Sequence, residues 1–129
     1  MITGLYAALL MFLQTALAVY TIKARRKNKV AIGNGGNEEV AGRSRAHANL
    51  TENVPIFLIL LLLIEAQDFW TIGIHLLGIV FLLGRLAHAK ALITANLKYR
   101  VFGMSLTFTT QIIVALIALW LFVEFNFFL

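Results

Sequence analysis

The sequence predicts an all-α integral membrane protein, a bundle of four transmembrane helices. Three observations lead there. Of 129 residues, 60% are hydrophobic and only 13% charged, against roughly 45–50% and about 25% in ordinary soluble domains. The apolar residues gather into four long runs. The basic residues collect in the first and third of the connections between those runs. A mean hydropathy of +0.86 excludes disorder. The absence of cysteine excludes a disulfide scaffold, a protein thiolate nucleophile and a cysteine-bound zinc.

The first helix is expected over residues 1–24. Met1 to Ile22 holds no ionisable side chain except Tyr6 and Tyr20. That run is long enough for a hydrocarbon core of roughly 30 Å. It lacks the basic leading region of a signal peptide and exceeds the usual apolar stretch of about 7–15 residues, so it reads as a retained helix. The second helix is expected over 43–66, with His47, Asn49, Glu52 and Asn53 in its first half, then Pro55 and the apolar stretch Ile56–Ile64. The third, over 69–92, contains His75 and Arg85, and the fourth, over 98–125, contains Gln111. Spanning β-strands are about half as long and alternate in polarity, which none of these runs does. The whole of 1–129 is therefore one membrane domain.

The connections orient the bundle. Lys23, Arg25, Arg26, Lys27, Lys29, Arg43 and Arg45 surround the first, against only Glu38 and Glu39, and Arg85, Lys90, Lys98 and Arg100 the third. The second carries Glu65 and Asp68, and the C-terminus Glu124. The positive-inside rule puts the basic loops in the cytoplasm and both termini outside. The net charge of +5 is thus explained by topology, and no nucleic-acid partner is expected. Trp70 and Trp120 fall where an aromatic belt at the outer interface would lie. The Gly33-Asn34-Gly35-Gly36-Asn37 segment lacks the strand and the Lys-Ser/Thr of a phosphate loop and reads as a turn-rich linker. Three scattered histidines give no metal site.

Helix two carries the chemistry. Arg45, Asn49 and Glu52 follow an i, i+4, i+7 spacing, which at about 100° per residue gathers them on one arc. Charged and amide groups at membrane depth face a bundle interior or a wet cavity. Two readings follow: a polar ligand site open to the basic side, or a brace of Arg, Asn and Glu that bonds helices together. Helix three ends in a second cluster, Arg85, His88 and Lys90, which reads either as part of that site or as interfacial anchoring. Arg25 and Arg26 end helix one at the same level. Together these groups suit a small anion that also carries an ammonium. Gln111 reads as a donor or acceptor of an interhelical hydrogen bond, and His75, near the outer end of helix three, as bonding to a neighbouring helix or reaching interfacial water.

The string Arg43-Ser-Arg45-Ala-His47-Ala-Asn49-Leu-Thr-Glu52-Asn-Val-Pro55 resembles the R-x-x-x-N-x-x-E-x-x-P signature of the membrane-associated proteins in eicosanoid and glutathione metabolism. That family includes the microsomal glutathione transferases and leukotriene synthases. The likeness extends to the four helices, the Arg25-Arg26 pair and the Gly84-Arg85-Leu86-Ala87-His88 segment. His47 and Gly84-Arg85 look most like small bacterial members, which implies the bacterial inner membrane. The resemblance further implies a homotrimer, with glutathione bound between neighbouring subunits near the cytoplasmic side. By position, Arg45, Asn49 and Glu52 are similar to residues that hold the glutathione backbone and its charged ends, with Arg26, Arg85 and His88 completing the binding set. Two features depart from the leukotriene synthases, which have tyrosines where this chain has His88 and Leu92. Their arginine at the start of helix four has an approximate counterpart in Arg100.

The implied role is a detoxifying glutathione transferase or peroxidase. Glutathione, a co-substrate, has a thiol with a pKa of about 8.5 in its unperturbed form. A guanidinium beside it raises the thiolate fraction, a catalytic role that falls to Arg26 or Arg100. An apolar electrophile or a lipid hydroperoxide would arrive from the bilayer. Two other classes stay open: a non-catalytic lipid-binding or accessory protein of the same fold, and a small four-helix multidrug transporter. Those transporters carry an acid in mid-helix one, where this chain has Gln14.

Overall fold

A computed structural model describes residues 1–127; Phe128 and Leu129, included in the expected single domain, lie outside the described residues. The chain forms α1 (Thr3–Lys27), α2 (Glu38–Glu65), α3 (Thr71–Thr94) and α4 (Leu97–Phe127). All four are long and apolar enough to span a membrane, and no strand occurs among the described residues. The short turns after α2 and α3 force neighbouring helices to run antiparallel. The C-terminal ends of α1 and α3 thus meet the N-terminal ends of α2 and α4 at a basic end. Glu65, Asp68 and Glu124 mark the opposite, acidic end. Helix α2 packs on α1, α3 and α4, whereas α1 and α4 do not meet among the described residues.

Helix α2 starts five residues before the expected position 43. The Asn37 side chain accepts from the backbone N–H of Val40 at 3.0 Å, and Glu38 and Glu39 occupy the first turn. An amide oxygen at the cap and acids beside the positive end of the helix favour that start. Glu39 ties the junction to α1 through Lys27 at 3.1 Å and holds Arg43 at 2.6 Å. Arg43 also lies over the Tyr20 ring at 3.5 Å. Pro55 offers no N–H to the carbonyl one turn earlier, yet α2 runs through it unbroken. At the acidic end Glu65 accepts from the backbone N–H groups of Ile2 and Thr3, so the last residue of α2 caps the first turn of α1.

The core is a stack of apolar side chains centred on Leu10, Leu50, Phe57, Leu61, Ile74 and Phe81. The Phe57 and Phe81 rings lie parallel with centroids 3.7 Å apart. Polar crosslinks flank it. The Tyr6 hydroxyl donates to the His75 carbonyl at 3.0 Å and lies 2.9 Å from that residue's Nδ1. The Tyr6 ring fits over Gly78, where an added Cβ would fall 2.4 Å from it. Gln111 of α4 donates to the Asn53 carbonyl of α2 at 3.2 Å, the interhelical bond expected of it. Helices α3 and α4 come into close backbone approach across Gly84 and Gly103. A Cβ at Gly103 would lie 2.6 Å from the His88 backbone nitrogen and 2.8 Å from the Gly84 carbonyl oxygen. Small residues that admit such backbone approach are the usual helix contact in a membrane, where apolar burial adds no drive to association.

Candidate functional site at the basic end

Every Lys and Arg in the chain lies between residues 23 and 45 or between 85 and 100, so the antiparallel fold collects all eleven in one half of the bundle. Within that half the arc of α2 divides. Arg45 and Glu52 are exposed on the surface of the chain, while Asn49 is turned partly inward. The i, i+4, i+7 arc spans about 60°, wide enough for its members to face two different neighbours.

Asn49 meets Arg85 of α3, whose side chain is only 1% exposed. Arg85 Nη1 donates to Asn49 Oδ1 at 2.8 Å and to its backbone carbonyl at 3.3 Å. Nη2 reaches the Met104 sulfur of α4 at 3.5 Å, and the buried Nε has no partner. No carboxylate comes within ion-pair distance of Arg85 among the described residues. A buried cation held by neutral acceptors alone lacks a counter-charge. Asn53 extends the chain of bonds, donating to the Asn49 carbonyl at 2.8 Å.

One turn beyond Arg85, His88 is buried against α4 at the Gly84–Gly103 contact. Arg85, Arg100 and Arg45, from three different helices, all add positive potential at its ring. Of the residues singled out in the sequence, the structure bonds Asn49 to Arg85 and sets His88 one turn from Arg85, with Arg45 and Arg100 acting on the His88 ring through charge alone. It does not bring Arg26 to them within the chain. Arg26 is exposed and lines a separate recess with Arg25, Lys29 and Val30. Glu52 stands about 21 Å along α2 from Glu38, by the rise of the helix. It forms no ion pair among the described residues. Sequence reasoning did not foresee Met104 or Asn53 as members of the Arg85 network. For Asn53 the i+4 spacing from Asn49 was the available signal.

Fold and site define a four-helix integral membrane protein with a cationic cluster contributed by α2, α3 and α4 at one end. The comparisons with known proteins agree with that class. The model of the MAPEG family matches residues 3–120. Two Escherichia coli proteins, from strain K12 and from an O6:H1 strain, each named "Inner membrane protein YecN", are 33% identical over 120 residues. The match covers 93% of this chain and 92% of each relative. The chain belongs to the MAPEG family.

Proposed function

We propose that this protein binds glutathione at the basic end and raises its thiolate fraction for transfer to apolar electrophiles or reduction of lipid hydroperoxides. The observation that carries this reading is the cluster of Arg45, Arg85 and Arg100 around His88 with no carboxylate in ion-pair reach among the described residues. Such a cluster suits a ligand that brings its own carboxylates, and glutathione has two. Guanidinium groups take carboxylates through paired hydrogen bonds. Glu52, unpaired on the same helix as Arg45, suits the ammonium. Because Arg26 and Glu52 both face outward from the protomer, the site is completed between copies in a homotrimer. There Arg26 of one protomer meets the cluster of the next and stabilises the thiolate, and Arg100 is the alternative for that role.

Glu52→Gln keeps the side chain's size and removes its charge. Titration calorimetry in detergent is expected to show glutathione affinity falling roughly ten- to a hundredfold, the worth of one charged hydrogen bond. Arg26→Ala is expected to leave most affinity intact and raise the bound thiol's pKa, read from thiolate absorbance against pH. Unchanged affinity in Glu52→Gln would make Glu52 a structural group and remove the ligand site from α2. A second reading, a non-catalytic accessory protein of the same fold, is favoured by the Arg85–Asn49 bond, which commits both side chains to bracing α2 against α3. A thiol pKa that moves in neither Arg26→Ala nor Arg100→Ala would decide for it.

The proposed location is the bacterial inner membrane with the basic end in the cytoplasm and both termini outside, on the charge bias between the two ends. The chain contains no cysteine, so single thiols introduced at Asn34 and Gln67 report without background. A membrane-impermeant maleimide applied to intact cells is expected to label position 67 and leave 34 unlabelled. The reverse pattern would invert the orientation.

A further inference from the structure

We propose that a recess between the first turn of α2 and the α3–α4 turn holds the head group of an ethanolamine phospholipid, with its phosphate on Arg100 and its ammonium on Glu38. The recess has a volume of about 410 Å³. Glu38 and Arg100 are its two charged lining groups; most of the rest is small or apolar, including Ala41, Ala91 and Leu92. Within the lining, Gly42 packs against the end of α3. A Cβ there would lie 2.7 Å from the Leu92 carbonyl oxygen.

The two charges are available. Glu39, the next residue, is held by Lys27 and Arg43, whereas Glu38 forms no ion pair among the described residues. Arg100 lines the same recess and does not pair with Glu38 across it. Asn96, the other polar side chain of the lining, has its oxygen committed. Its Oδ1 accepts from the backbone N–H groups of Lys98 at 3.0 Å and Tyr99 at 3.3 Å. An unpaired guanidinium and an unpaired carboxylate on one small cavity are complementary to a ligand with an anion and an ammonium a few bonds apart. A guanidinium can take two phosphate oxygens at once, and a carboxylate accepts strong hydrogen bonds from a primary ammonium.

The position favours a lipid as the source of that chemistry. Leu97 borders the recess and is 69% exposed, and Val101 and Phe102 on the next turn of α4 are 59% and 56% exposed. These side chains continue from the recess along a helix that spans the membrane, a track for acyl chains below an interfacial head group. A diester with glycerol in place of ethanolamine has the phosphate for Arg100 but meets Glu38 with no cation. The site therefore discriminates between two lipids of the same backbone, which a merely basic surface would not do in this direction. A basic surface retains the anionic lipid better.

The test is lipid retention by native mass spectrometry, with the full chain equilibrated in mixed micelles of equal phosphatidylethanolamine and phosphatidylglycerol. The wild-type protein is expected to retain phosphatidylethanolamine over phosphatidylglycerol by roughly tenfold, the scale of one charged hydrogen bond. Glu38→Gln, a change on the exposed first turn, is expected to bring that ratio to about one. Ala41→Leu keeps both charges and fills the recess, and is expected to remove the preference as well. Preferential retention of phosphatidylglycerol by the wild type would overturn the proposal, as would a preference that survives either substitution. The inference does not rest on glutathione binding, and a glutathione titration of Glu38→Gln reports on that reading separately. Arg100 is shared with the cluster proposed for glutathione, so a phosphate on it would leave Arg45 and Arg85 for the glutathione carboxylates and Arg26 for the thiolate.

Discussion

Asn49→Leu is expected to destabilise the protein by about 3 kcal/mol, because it strips a buried guanidinium of its best acceptor. Arg85 already has one nitrogen without a partner and no carboxylate in ion-pair reach among the described residues. After the substitution Nη1 keeps only the longer bond to the backbone carbonyl. Arg85→Met in the same background is expected to restore most of the loss, since replacing both members of a buried polar pair by apolar groups is often neutral or better. Denaturation of the single and double variants in detergent checks this through the coupling energy of the cycle. If the double variant is no more stable than Asn49→Leu alone, the polar bond is not what Asn49 contributes. The outcome also bears on function, because a pair that can be removed together without loss of glutathione affinity braces helices and does not hold ligand.

Gly103→Val is expected to cost about 3 kcal/mol through overpacking. Its Cβ would fall on backbone atoms of α3, the His88 nitrogen and Gly84 oxygen, which no rotamer change can move aside. The helices must separate, and His88 and Arg85 are carried on the face that shifts. Gly4→Val is the control, since nothing lies within 4 Å of a Cβ placed there. Thermal denaturation monitored by circular dichroism distinguishes the two. Equal losses in both variants would attribute the effect to β-branching within a helix rather than to the α3–α4 contact.

The four helices were legible because a bilayer sets a minimum apolar length, and each run meets it without help from its neighbours. The start of α2 was less legible. Gly33, Gly35 and Gly36 drew the expected linker too far along the chain, whereas the amide of Asn37 and the acids at 38 and 39 already mark a helix start. All three of those glycines have positive φ, which confines the glycine-rich turn to the segment before Asn37. Helical spacing sets Arg45, Asn49 and Glu52 on one arc of α2. It could not show which of them faces a neighbouring helix, because that depends on how α2 is rotated against α3. Arg85 supplies that rotation by bonding Asn49, leaving Arg45 and Glu52 outside. The recess beside Glu38 was invisible for a related reason: its two charges are sixty-two positions apart, and only the antiparallel return of the chain sets them on one cavity.

Confining every basic residue to one half of the bundle has a consequence for the symmetry of any assembly. A chain with such a charge bias enters the bilayer in one orientation, so all copies share it. Two copies related by an axis lying in the membrane plane would need opposite orientations and are thereby excluded. What remains is rotation about an axis along the membrane normal, a cyclic arrangement in which each interface joins two different faces of the protomer. Every site built at such an interface is then repeated at a single depth and opens to a single compartment. In a closed ring of that kind, ligands arriving from that compartment would meet identical entrances, and none on the far side.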